Sequence, residues 1–150
     1  MSDPAGQPLR VLVLCTGNSI RSQMAEAFLR EFGEGRLEVH SAGTHPWMVH
    51  PLTIRAMAER GHDLSGARSK GMTEFLDAAF DAVVTVCDNA NELCPVFPGG
   101  GRRIHRDFFD PVRVSGSEEA RLAAFRRVRD EIEGWAKELA GELTASAPAA

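Results

Sequence analysis

The sequence predicts an α/β fold: a single-domain, three-layer sandwich in which a four-stranded, mostly parallel sheet carries helices on both faces. Three observations lead there. The chain has 150 residues, one domain's worth, with no internal repeat and no interior linker. Two apolar runs of strand length, VLVLC and VVTVC, have no polar face, as strands covered on both sides do. Helical spacing alternates with these runs in the order β-α-β-α-(α)-β-β-α, the pattern of crossover units.

The elements follow in order. VLVLC ends the first strand at Cys15. In SQMAEAFLREF, Met24, Ala25, Phe28, Leu29 and Phe32 fall at helical spacing, with Ser22 as the expected N-cap and Gly33 just past the expected end. LEVHSAG reads as a second strand stopping at Gly43. Pro51 suits the first position of a second helix, and Gly61 its exit. Thr73 is the expected cap of a short helix. DAVVTVC forms a third strand ending in Cys87, and RRIHRDFFDP a short last strand or extended segment that terminates at Asp110-Pro111. From Ser117 a long amphipathic helix places Leu122, Phe125, Val128, Ile132, Trp135 and Leu139 on one face. Residues 1–8 read as a flexible lead and 144–150 as a flexible tail, leaving 9–143 as the catalytic domain. In a parallel sheet, ligands bind beyond the carboxyl ends of the strands. Cys15, Cys87 and Asp110 all fall there.

Composition excludes several classes. A formal net charge of −4 gives no general basis for binding nucleic acid or an anionic membrane. No apolar run approaches the ~20 residues that span a bilayer. The first ten residues lack a basic segment followed by an apolar one, so no secretory signal is expected and the cytoplasm is the expected location. Three cysteines, Cys15, Cys87 and Cys94, make an odd set in a reducing compartment, where a static disulfide framework is not expected. The arginines at 102, 103, 106, 126, 127 and 129 read as solvated surface.

The stretch CTGNSIRS joins a buried strand to a helix. Its backbone amides at Thr16, Gly17, Asn18, Ser19 and Ile20 can curl around a tetrahedral oxyanion, with the helix N-terminus adding partial positive charge. Arg21 supplies a bidentate fork. Gly17 permits a positive φ and Asn18 tolerates one. The same surroundings favour the thiolate of Cys15, to which the Ser22 hydroxyl can donate. The loop residues 16–22 are therefore the expected oxyanion site.

CDNANELCP separates Cys87 from Cys94 by six residues. On a continuous helix, positions seven apart lie about 10.5 Å apart along the axis. A disulfide needs Cα atoms within about 7 Å, so the pair can share a helix face when reduced but bonds only if the helix unwinds. Asp88, Asn89 and Asn91 are weak helix formers, and Pro95 stops continuation. A zinc site calls for more Cys or His at short spacing, and His105 alone is near, so no metal is expected. Pro111 biases Asp110 towards extended backbone. Beside a bound oxyanion the proton-bearing form of Asp110 is favoured, which suits a general acid. Asp107 competes for that role, and His105 is expected to be structural or to support the site rather than act as a base.

Together, VLVLCTGNSIRSQMAEAFL, SAGT, VVTVCDNANELCPVFPG, DFFDP and FRRVRDEIE resemble the thioredoxin-coupled arsenate reductases, which share the fold of the low-molecular-weight protein tyrosine phosphatases. The resemblance runs from about Arg10 to Leu143. It implies that Cys15 attacks arsenate held by the loop and Arg21, that Asp110 protonates the departing oxygen, and that Cys87 and then Cys94 carry a disulfide outward to thioredoxin. No bound cofactor is implied, phosphate and sulfate compete with arsenate, and a monomer is expected. The Cys87/Cys94 pair and the absence of any tyrosine after Asp110-Pro111 set the chain apart from the phosphatases. Two alternatives remain: an aryl phosphatase using Cys15, Arg21 and Asp110, and an oxyanion-binding redox sensor. Some relatives bind potassium through an Asn, a Glu, a Ser and an Asp. Asn18, Glu26 and Ser41 match, but Lys70 stands at the fourth place, so no potassium requirement is expected. Ile20 stands where some relatives carry another cysteine.

Overall fold

The computed structural model describes residues 7–145. Its four strands, β1 (Leu9–Cys15), β2 (Leu37–Gly43), β3 (Ala82–Thr85) and β4 (Arg102–His105), form one sheet in the order β2-β1-β3-β4. All neighbours run parallel, so the expected mostly parallel sheet is wholly parallel. Val11, Leu12, Val13 and Leu14 are each 0 % exposed, which is why β1 shows no polar alternation. The register sets Cys15 opposite Gly43, Leu14 opposite Thr85, and Thr85 opposite His105. The chain leaves β1 towards β2 and later returns to β1's other side with β3. The strand order therefore reverses between β1 and β3, where open parallel sheets form a crevice for ligands.

Four helices accompany the sheet: α1 (Arg21–Gly33), α2 (Pro51–Ala58), α3 (Asp88–Leu93) and α4 (Glu118–Ala145). α1 and α4 pack together, with Met24, Phe28, Phe125 and Ile132 wholly buried. α2 starts at Pro51 as expected, and its cap is the His50 ring, whose Nδ1 accepts from the Leu52 amide at 3.0 Å.

Several local expectations are corrected. α1 begins at Arg21 without a side-chain cap, because the Ser22 hydroxyl turns to Cys15 instead. Gly33 lies inside α1, and the left-handed residue that ends it is Glu34 (φ 50°). Gly33 is needed for space, since a Cβ there would meet the Leu37 side chain at 2.8 Å. Thr73 caps nothing: Gly71 holds the cap position of a 3-10 turn over Met72–Phe75. Trp135 is only partly buried, edge-on to Phe108 at 5.2 Å. Arg129 is not solvated. It is 4 % exposed and donates to Ala56 O (3.0 Å) and Glu59 Oε1 (2.6 Å), fastening α4 to the end of α2. Thr144 and Ala145 complete α4 rather than opening a tail. Residues 1–6 of the expected lead and 146–150 of the expected tail lie outside the described residues.

Candidate active site

The loop from Cys15 to Arg21 is shaped by the segment that follows β2. Amides of Thr44, His45, Trp47 and His50 donate to the carbonyls of Cys15 (3.1 Å), Thr16 (2.9 Å), Gly17 (3.1 Å) and Ser19 (3.2 Å). The loop carbonyls are thus drawn outward. Amides of Gly17–Ile20 find no acceptor among the described residues and remain available to an anion. The two segments lie so close that a Cβ at Gly43 would sit 2.4 Å from Thr16 O. The left-handed residue of the loop is Asn18 (φ 48°), not Gly17. Asn18 is 0 % exposed, and its side-chain amide is fully used. Nδ2 donates to Ser22 Oγ (2.8 Å) and Ser41 Oγ (2.9 Å), while Oδ1 accepts from Gln23 Nε2 (3.0 Å) and the Lys70 amide (2.8 Å).

Cys15 sits at the base of this cradle, 2 % exposed, with Sγ 2.9 Å from Ser22 Oγ. A thiolate can only accept, so in that form Ser22 donates to it while accepting from Asn18. Arg21 opens α1 and is held by the carbonyl of Phe108 at 2.9 Å, with Asp110 Oδ2 3.7 Å from Nη2. Asp110 has the extended backbone expected before proline (φ −84°, ψ 106°), and one of its oxygens accepts from the Val112 amide. A cavity of about 150 Å³ over the sulfur is lined by Cys15, Arg21, Trp47, Asp110 and Val112. Asp107 is turned elsewhere, accepting from the Asp88 amide at 3.2 Å.

Cys87 follows β3, is 4 % exposed, and is the N-cap of α3: its Sγ accepts from the Ala90 amide at 3.4 Å. Thr16 Oγ1 lies 3.4 Å from the same sulfur. A second cavity of about 330 Å³ is lined by Cys87, Asn89, Asp107 and Arg113 and shares Thr16, Arg21 and Asp110 with the first. Cys94 sits at the other end of α3, half-buried, with Sγ 3.5 Å from Pro95 O. Burial pushes its thiol up, against the opposing pull of the Arg103 cation. All three cysteines are free thiols.

Among the described residues no group of His, Cys, Asp and Glu could hold a metal ion, and no helix is long and apolar enough to cross a membrane. Glu26 is engaged by Ser41 Oγ (2.5 Å), Arg30 Nη1 (2.8 Å) and Lys70 Nζ (3.7 Å). Of the expected site residues, Thr16 to Ser22 surround Cys15, Asp110 faces it, Cys87 stands beside Thr16, and Cys94 is remote across α3. Sequence reasoning missed Trp47 and Val112 at the cavity mouth, the Phe108 carbonyl behind Arg21, and Asn89, which accepts from Thr16 and Thr44 at 3.2 Å. Only Trp47 had a usable signal, its place in a loop at the carboxyl edge of the sheet.

A buried thiol at the end of a central parallel strand, in a loop whose amides lack an acceptor among the described residues and which an arginine closes, defines a cysteine-dependent oxyanion-binding enzyme fold. The sequence model of the low molecular weight phosphotyrosine protein phosphatase family matches residues 10–149, and the chain belongs to that family. It is 42 % identical over 122 residues to an arsenate reductase of Halalkalibacterium halodurans, an alignment covering 81 % of this chain and 88 % of that one. Among solved structures it is similar to an arsenate reductase in the oxidized state (TM-score 0.76, 31 % identity, 89 % of this chain and 97 % of that one). It is also similar to a thioredoxin-dependent arsenate reductase of Corynebacterium glutamicum (TM-score 0.74, 29 % identity, 95 % of this chain) and spans 65 % of that chain.

Proposed function

We propose that the protein reduces arsenate to arsenite by a three-cysteine relay recycled by thioredoxin, acting as a cytoplasmic monomer in arsenic detoxification. Arsenate enters the loop in the geometry that phosphate and sulfate would share. The Cys15 thiolate attacks arsenic, and an oxygen leaves as water with a proton from Asp110. The Cys87 thiolate then attacks Cys15 Sγ. The As–S bond breaks with its electron pair going to arsenic, arsenite departs, and a Cys15–Cys87 disulfide remains. Cys94 attacks Cys87, frees Cys15, and leaves a Cys87–Cys94 disulfide for thioredoxin to reduce. The observation that carries the reading is a second buried thiol next to the loop: the Thr16 hydroxyl, on the residue after Cys15, lies 3.4 Å from Cys87 Sγ. Hydrolysis of a phosphate ester needs no such partner. The relatives named arsenate reductase support the same reading.

A phosphatase activity is the second reading, because Cys15, Arg21 and Asp110 are together sufficient for a phosphomonoester. It is expected as a weak side activity. C87S separates the two: arsenate reduction with thioredoxin falls to background while aryl phosphate hydrolysis survives. Persistent arsenate turnover in C87S contradicts the relay. The same reading expects no potassium beside the loop. The Lys70 ammonium stands at Glu26 and donates to Arg68 O at 3.2 Å, placing a fixed positive charge where an ion would need a carboxylate.

A further inference from the structure

We propose that β4 clamps the relay helix at both ends, with His105 fixing the Cys87 end and Arg103 acting as the latch that must open before Cys94 can move. Its functional meaning rests on the three-cysteine reading above. Arg103 and His105 are two apart on a strand and therefore share a face. His105 Nε2 lies 2.8 Å from Asp88 Oδ1, in the first turn of α3, and its Nδ1 lies 2.7 Å from the Thr85 hydroxyl, which orients the ring. Arg103 Nη2 donates to the carbonyls of both Cys94 (3.2 Å) and Pro95, just past the other end of α3.

These clamps matter most at the carboxyl end of α3, because Asn89, which accepts from Thr16 and Thr44, and Asn91, which accepts from Thr85, tie down the rest of the helix. It is six residues long, and Ala90 is its sole buried residue. A helix that short has no independent stability. Leu93 is 47 % exposed and Val96 88 % exposed, so neither side chain flanking Cys94 and Pro95 is fastened by burial, and the next large apolar anchor is Phe97. Beneath it a cavity of about 180 Å³, lined by Val83, Thr85, Asn91, Cys94, Arg103 and His105, leaves room to move.

The two ends differ in what the relay asks of them. Cys87 must stay beside Thr16, and the His105–Asp88 pair, with Asp107 on the Asp88 amide, keeps it there. Cys94 must close the ~10.5 Å that a helix of this length puts between the two residues to within about 7 Å. That travel carries the Cys94 and Pro95 carbonyls away from Arg103. Until then the latch keeps Cys94 away from other disulfides and oxidants. Once it opens, the Cys94 thiolate attacks Cys87 Sγ, the Cys87–Cys94 bond forms, and Cys15 leaves as thiolate.

The test is the alkylation rate of Cys94 by iodoacetamide in the reduced full-length protein, read peptide by peptide across pH. Removing Arg103 also removes a cation that favours the thiolate. The diagnostic quantity is therefore the plateau rate at high pH, where ionisation is complete and accessibility alone remains. In R103A the Cys94 plateau is expected to rise about tenfold, the consequence of losing ordinary hydrogen bonds. Alkylation of Cys15 should be unchanged. R103K keeps the charge but not the two-carbonyl fork, and should show a smaller rise; it carries the test if the alanine variant does not fold. An unchanged or lower plateau in the folded variant overturns the latch, whatever the protein's activity towards arsenate. A raised plateau in a protein that does not reduce arsenate upholds the latch and removes the relay reading.

Discussion

Ser22 and Lys70 show how single side chains set the chemistry of the loop. Ser22 accepts from Asn18 and faces Cys15 Sγ at 2.9 Å, so with Cys15 as thiolate its one hydrogen is directed at the sulfur. A hydrogen bond to a charged group contributes roughly 1.5–3 kcal/mol. S22A is therefore expected to lower kcat/KM by about tenfold or more, and to slow alkylation of Cys15 at pH 7 in parallel. Equal activity in S22A and wild type would show that Ser22 does not support the thiolate. Lys70 Nζ lies 3.7 Å from Glu26 Oε1. Adding potassium should leave kcat/KM unchanged at constant ionic strength; a clear gain contradicts the substitution of ammonium for ion. Both residues were readable in the sequence, Ser22 from its place after Arg21 and Lys70 from its departure from the matched set. Asn18's left-handed backbone was only half readable. Glycine is the default for that conformation, yet the buried amide network selects Asn18 and leaves Gly17 with φ in the ordinary range.

Between elements, the most consequential feature not visible beforehand is the ion cluster joining α2 to α4. Arg126 and Arg129 both donate to Glu59, and Arg60 pairs with Asp130 and Glu133. A run of arginines on an amphipathic helix looks like a solvated face. Nothing local says that Arg129 falls where α4 crosses the end of α2. The hydrogen bonds from Arg126 and Arg129 pull the Glu59 carboxyl down from 4.5 to about 2. A depressed carboxylate stabilises the folded state above its unfolded value and loses that contribution as pH falls towards its folded value. E59Q should therefore lower the urea midpoint at pH 7, with the gap to wild type closing between pH 4.5 and about 2. Glu59 is 35 % exposed, so high salt should narrow the gap at neutral pH. A gap that stays constant from pH 7 to pH 2 would exclude the ionised carboxylate as its source. Helix ends were less legible than helix existence. Gly33, Ser22 and Thr73 carry the usual punctuation, but close approach to Leu37, the pull of Cys15 and the cap at Gly71 each override it.

For the molecule as a whole, topology brings together what sequence keeps apart. β1 and β3 are neighbours in a parallel sheet, so Cys15 and Cys87 emerge at the same edge at the point where strand order reverses. That convergence was legible because both runs, VLVLC and VVTVC, read as buried strands that lead into a cysteine. Trp47, Val112 and the Phe108 carbonyl were not, because nothing in their spacing marks a residue whose role depends on how three loops meet. The fold is shared by phosphatases and reductases, so the outcome turns on whether electrons pass from Cys94 through Cys87 to Cys15 and on to arsenic, the disulfide moving outward as they do. The most direct measurement is the arsenite yield and thiol state of C94S after arsenate and reduced thioredoxin are supplied. The relay predicts one arsenite per chain and a trapped Cys15–Cys87 disulfide identified by mass spectrometry. Sustained turnover in C94S, or a first turnover that leaves Cys87 as a free thiol, would contradict it.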